Sequence, residues 1–276
     1  SVVSLERLKR RDLLLGFLLL EGLLTNIGGL LTLISSVPNI IVGTSAGIGF
    51  GTFFIYSAPF VFIATCATIL MGAKRFHIHA LKDDASKEEA KLLVSSFHEG
   101  EGITSKRFFY FSCLMLVLFV LCIALASALP IINKLGMGFV ALSFGAMMLV
   151  RFKSTVDEFY QEIDWDLLGF FTGLFIVINV MEHAQVLATM GHGLTYLLSW
   201  GDSAGGAALL IASAVCSSVT DNIPLAAMLS KILGGLGTPA DSSLWWSVIF
   251  GANLGGNLTP IGSASTLVAV TIIHKN

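Results

Sequence analysis

"TNIGGLLTLISSVPN", Thr25 to Asn39, returns near the other end of the chain as "ANLGGNLTPIGSAST", Ala252 to Thr266. With Asn26 set against Asn253, an offset of 227, Gly28 meets Gly255 and Gly29 meets Gly256. Leu31, Thr32, Ile34 and Ser36 then meet Leu258, Thr259, Ile261 and Ser263. Glycine is the residue a helix holds least well, after proline. A Gly pair in the middle of an apolar run therefore marks a place where a helix is expected to unwind, and the chain marks two such places in matching words.

The runs around both copies are written for lipid. Of 276 residues, 55% are hydrophobic and 12% charged, against about 25% charged in a soluble domain. The formal net charge of −2 argues against a nucleic-acid partner. Cys66, Cys113, Cys122 and Cys216 lie in apolar runs without CxxC spacing and read as small packing residues. His77 and His79 form an HxH with no further ligands nearby, so no transition metal is expected.

A membrane helix needs about 20 largely apolar residues. Candidate spans are 12–43 (long and Gly-broken), 52–73, 107–129, 132–151, 165–197, 205–233 and 244–273. The chain reads as a single transmembrane domain over 1–276, with Lys74 to Arg107 a polar, cytoplasmic loop inside it. That loop has room for a short helix from Ala85 to Phe97, N-capped by Asp83 or Asp84.

Cytoplasmic loops collect Lys and Arg. Fourteen of the 16 basic residues, all but Lys134 and Lys231, fall on one side if segment 205–233 enters and leaves on the same face. Its middle, "VCSSVTDNIPLAAML", supports that reading: Thr220, Asp221 and Asn222 suit a turn or cap, and Pro224 cannot continue a helix. With 205–233 a re-entrant hairpin, four spans separate the two Gly-Gly copies, so the second runs opposite to the first. This is an inverted-topology repeat, a plan common in secondary transporters. Extending the offset predicts a partner for Asn222 before residue 1 and a partner for span 52–73 near 279–300. The expectation is thus an excerpt truncated at both ends.

"SVTDNIPLAAM", "GANLGGNLTPIGSASTLVA", "TNIGGLLTLISSVPNIIVG" and "WDLLGFFTGLFIVINVMEHAQVL" resemble the citrate-transporter-like domain of the ion-transporter superfamily. That group includes arsenite permeases, sodium–proton antiporters, the melanosomal P protein and, more distantly, dicarboxylate–sodium symporters. The resemblance implies an all-α, polytopic helical bundle with broken helices and re-entrant hairpins, whose tips and unwound segments enclose a site for an ion or carboxylate. Carried over residue by residue, it implies a site built from Thr220, Asp221 and Asn222 at the tip. The unwound segments add Asn26, Gly28, Gly29 and Thr32 on one side, and Asn253, Gly255, Gly256 and Thr259 on the other. The tip here is Thr-Asp-Asn where dicarboxylate symporters have Ser-Asn-Thr, which points to a proton- or cation-linked member. "SSVPN" at 35–39 is more like the permease and citrate-type members.

The function expected is secondary active transport of a small inorganic ion or carboxylate, coupled to H⁺ or Na⁺, with no other cofactor. Na⁺ would bind at the same residues. No Walker-type motif occurs in the chain. A sodium–proton antiporter is the alternative, and an intramembrane enzyme the rival of another class. The enzyme would need a catalytic set, and the charged spots at depth, Asp221 and the boundary pair Glu182-His183, do not make one. Partners are the bilayer and the cargo; a homodimer stays open. A carboxylate at the centre of a membrane helix costs about 2.5–3.5 kcal/mol, so Asp221 faces a cavity or a partner. The plainer reading makes it a hairpin cap, and the two are compatible. For Gly251/Gly255 the plainer reading is close helix packing.

Overall fold

The structure, a computed structural model, describes residues 13–78, 84–95, 103, 105–125, 135–153, 156–259, 262–263 and 270–271. Among these every regular element is helical. In chain order they are α1 (Leu14–Gly28), α2 (Val37–Ser45), α3 (Phe50–Arg75), α4 (Asp84–Ser95), α5 (Lys106–Ala124) and α6 (Met137–Arg151). There follow α7 (Val156–Gln161), α8 (Trp165–His183), α9 (Val186–Leu198), α10 (Asp202–Val219), α11 (Asn222–Gly235) and α12 (Ser243–Gly255). Helices α3, α5 and α8 are long and apolar enough to cross a membrane. Large apolar side chains such as Ile55, Phe62, Leu116 and Ile176 stand exposed on them, as surfaces meant for lipid do.

The best-buried part of the molecule is built from the short, broken elements. Trp245, Val248, Ile249 and Ala252 of α12 are almost fully buried, with Val42 of α2, Leu209 of α10 and Ala226 and Leu233 of α11 packed into the same core. A helix apolar on every side is a buried helix, and α12 has that composition.

Contacts fix the relative directions. Gly16 lies against Phe76 and Gly72 against Leu20, so α1 and α3 are antiparallel. Phe53 and Tyr56 meet Trp246 with ring centroids 5.2 and 5.6 Å apart, and Phe60 meets Phe250 at 5.6 Å, so α3 and α12 are parallel. Helices α1 and α12, which carry the two copies of the repeat, are therefore antiparallel, and the inversion inferred from the crossing count is present in space.

The hairpin is equally legible. Gly206 faces Ser243 and Ser247, Gly251 faces Leu210 and Ser213, and Gly255 faces Ala214 and Ser217. The order rises together, so α10 and α12 run parallel and start at the same end. Helix α11 covers about 21 Å at 1.5 Å per residue. The link from Gly235 to Ser243 reaches at most about 27 Å. Had α11 continued past the tip, its end would lie about 40 Å from the start of α12, out of reach. It turns back instead, and Trp245 Nε1–H donates to Pro239 O at 2.8 Å to pin the return.

Other boundaries moved. The stretch 165–197, read as one span, is two helices broken at Ala184 and Gln185, with Gln185 in the left-handed region at φ 59°. A 33-residue helix would be about 50 Å long against a hydrocarbon core of about 30 Å. The end turns aside, and α9 buries one stripe, Leu187, Gly191 and Leu194. Helix α4 begins at Asp84, which sits in its first turn; Asp83 and Phe97 lie outside the described residues. The end of span 107–129, the start of 132–151 and most of 260–273 also lie outside them. Helices α5 and α6 form an antiparallel pair, with Phe108 on Phe152 (4.8 Å) and Phe119 on Phe144 (5.6 Å). Arg151 lies over the Phe152 ring at 5.1 Å.

Candidate functional site

Helix α1 stops at Gly28, residues 29–36 are non-helical, and α2 starts at Val37. Ser36 before it is extended, and Pro38 occupies the first turn, where a missing N–H costs nothing. Helix α12 stops at Gly255, and residues 256–259 turn away. The two breaks sit at the same place in the repeat. Gly255 has a second reason to be glycine: a Cβ there would strike the Ala214 carbonyl of α10. At Gly256 a Cβ would lie 3.0 Å from Gly262 O. The close-packing reading of Gly251/Gly255 thus holds alongside the break.

The breaks contact one another by exchanged partners. Asn26 Nδ2–H donates to Ser263 Oγ at 2.8 Å, and Ser36 Oγ–H donates to Asn253 Oδ1 at 2.8 Å. Asn26 Nδ2–H also donates to Asn257 Oδ1 at 2.7 Å, and Asn253 Nδ2–H to Asn39 Oδ1 at 2.9 Å.

A cavity of about 480 Å³ opens at this junction. Of the residues expected at the site, Asn26, Gly29, Asp221, Asn222 and Asn253 line it. The other six do not. Thr32 Oγ1–H turns to Ser35 Oγ at 3.0 Å, and Thr220 Oγ1–H to the Cys216 carbonyl at 2.8 Å in its own helix. Thr259 Oγ1–H donates to Ser218 O and ties the second break to the end of α10. Gly28 is exposed with nothing near, and Gly255 and Gly256 serve packing. The site also gains members: Thr25, Ser35, Ser36 and Ser263 line the cavity, and Leu167 and Phe170 of α8 form its apolar wall. Ser36 and Ser263 are the last identical pair of the repeat, so the sequence itself marks them.

A helix that stops leaves its last carbonyls without intrahelical partners, but two carbonyls of the first break are not bare. Gly29 O accepts from Asn39 Nδ2 at 2.7 Å and lies 2.8 Å from Ser35 Oγ. Thr32 O accepts from the other Asn39 Nδ2 hydrogen at 2.9 Å and also lies 2.8 Å from Ser35 Oγ, whose single proton serves one of the two carbonyls at a time.

Among the described residues, Asp221 is the one charged residue lining the cavity. Its carboxylate accepts from Ile223 N–H at 3.0 Å and caps α11. The first turns of α2 and α11 both border the cavity, and helix N-termini favour negative charge. Asp221, the amide oxygens and the ends of α1 and α12 favour positive charge. The site offers complementary ends to an ion pair or to a cation and a carboxylate together. Glu182, assigned to the boundary, pairs there with Lys231 at 3.0 Å, while His183 Nδ1 lies 3.0 Å from Asn179 O. His79 lies outside the described residues.

An uncharacterized transporter of Mycobacterium tuberculosis is 31% identical over 264 residues, covering 94% of this chain and 59% of the relative. An uncharacterized transporter of Synechocystis is 25% identical over 288 residues, 94% of this chain and 61% of the relative. The P protein of Mus musculus is 29% identical over 185 residues, 62% of this chain and 22% of that protein. The chain spans about three-fifths of the bacterial relatives it matches. A family model described as citrate transporter matches residues 3–251, which takes in the first break, the hairpin and α12 up to its last turn, and the chain belongs to that family.

Proposed function

We propose that the chain forms the cargo-binding part of a secondary transporter that moves a small inorganic ion or carboxylate, coupled to H⁺ or Na⁺. One observation carries the reading: two oppositely directed, broken helices exchange Asn–Ser contacts at a single cavity that also holds the hairpin carboxylate Asp221. Neutral amides and hydroxyls coordinate an ion but carry no proton at neutral pH. Asp221 can do both, and so links cation or proton binding to the same cavity. The name of the matched family and the names of the bacterial relatives support transport. A citrate-like carboxylate fits the first turns of α2 and α11; the coupling cation fits Asp221 and the side-chain oxygens. By the distribution of Lys and Arg, the end of the bundle where α1 starts and α3 finishes is cytoplasmic.

A sodium–proton antiporter is the second reading, favoured by Asp221 being the only charge among the described residues that line the cavity. The two separate in one experiment. The full-length protein is reconstituted in liposomes and offered labelled citrate, a dicarboxylate and arsenite under imposed Na⁺ and H⁺ gradients. The leading reading expects gradient-dependent uptake of one cargo. Na⁺/H⁺ exchange with no uptake of any cargo would favour the antiporter, and neither activity would overturn both.

A further inference from the structure

Asn39 was not among the residues expected at the site, and it does not line the cavity. It is fully buried on the first turn of α2. Its two amide N–H groups go to Gly29 O and Thr32 O, the carbonyls of the first break, at 2.7 and 2.9 Å. Its oxygen accepts from Nδ2 of Asn253, at the second break, at 2.9 Å. Asn253 Nδ2 gives its other hydrogen to Ile249 O at 2.7 Å. Both donors of Asn253 are therefore directed inward. Its oxygen is left on the cavity side, where it accepts from Ser36.

We propose that Asn39 is a positioning residue that sets the polarity of the cavity: it closes the carbonyls of the first break and turns the oxygen of Asn253, rather than its NH₂, toward the cargo. The inference rests on the transporter reading of this cavity. The chemistry requires an amide. Two carbonyls need two donors, and an amide N–H needs an acceptor, all from one short side chain; neither Asp nor a hydroxyl supplies that set. The repeat sharpens the point. At the offset of 227 the residue equivalent to Asn39 is Thr266, so the repeat supplies no second amide at this position. The group that Asn253 then meets in the cavity is a cation or a hydrogen-bond donor of the cargo, not an acceptor.

The test compares Asn39→Ala, Asn253→Ala and the double variant in full-length protein in liposomes, using the cargo identified by the uptake panel, with citrate tried first. The readout is KM and kcat separately, in the monodisperse fraction. Asn39→Ala is expected to raise KM about tenfold, comparably to Asn253→Ala, and to add nothing further in the double variant, since it acts through Asn253. Asn39→Thr, which keeps one donor, should recover part of the loss, and it is the variant read if Asn39→Ala does not yield monodisperse protein. A role in folding alone would lower yield and leave KM unchanged. Unchanged KM in either variant, or independent effects in the double variant, would overturn the inference. Wild-type protein that transports nothing would overturn the transporter reading and this inference with it.

Discussion

Asn26 and Asn253 stand 227 positions apart, and each bonds the serine that follows the other's break, Ser263 and Ser36, at 2.8 Å in both cases. Exchanged contacts of this kind are the mark of a two-fold axis: what one half does to the other is done back to it. Because α1 and α12 are antiparallel, that axis does not run along the helices. An axis in the membrane plane is the one inverted-repeat transporters use to present one site to either side.

Asp221→Asn keeps the size of the side chain and an oxygen to cap α11, and removes the charge. Folding and monodispersity of the full-length protein should be unchanged. Uptake should fall, because the cavity loses its carboxylate. Unchanged uptake would assign Asp221 to capping alone.

The repeat and the hairpin were legible because both are written in backbone-determining residues. Gly-Gly at matched offsets, Pro38 and the Asp221–Pro224 turn dictate where helices stop, and chain direction follows by counting crossings. What spacing does not give is where a side chain points once its helix has ended. Thr32 and Thr220 each found an acceptor in their own segment, Thr259 reached the Ser218 carbonyl of α10, and Asn39 satisfied two carbonyls of the first break, Gly29 O and Thr32 O. Those choices depend on which segments come together. The split between α8 and α9 was hinted at by Glu182-His183 and by excess length, and the apolar run past it concealed the break.

The two glycines of one repeat position should respond differently. Gly255→Ala puts a methyl group into the Ala214 carbonyl of α10 and should cost about 1–3 kcal/mol, as overpacking does. Gly28→Ala meets nothing within 4 Å and should be neutral or stabilising by up to about 1 kcal/mol. Thermal unfolding in detergent, followed by the monodisperse fraction, distinguishes them. Equal effects would contradict the packing described for α10 and α12.

The side-by-side placement of α10 and α12 can be caught covalently. A Cβ at Gly206 lies 3.6 Å from Ser247 Oγ. With Cys66, Cys113, Cys122 and Cys216 replaced, Gly206→Cys together with Ser247→Cys should form a disulfide under mild oxidation, seen as a mobility shift that reductant reverses. A hairpin segment that crossed the membrane fully would hold these positions apart, and no shift would appear.

Lys231 and Glu182 are each about half exposed, at 50% and 46%. Such a pair contributes about 0–1 kcal/mol. Lys231→Met should therefore leave the unfolding temperature within a few degrees of wild type and depend little on salt. A large loss of stability would mean that the pair anchors α11 to α8 far more strongly than its exposure implies.

The central claim is that the two breaks form one site, and cargo protection of Ser36→Cys and Ser263→Cys tests it most directly. Each variant is made in the cysteine-replaced full-length protein and labelled with a membrane-permeant thiol reagent over a range of concentrations of the transported cargo. Both positions line the cavity, one from each half of the repeat. The account predicts that cargo protects both, with the same half-maximal concentration. Protection at one position only, or at clearly different concentrations, would contradict it.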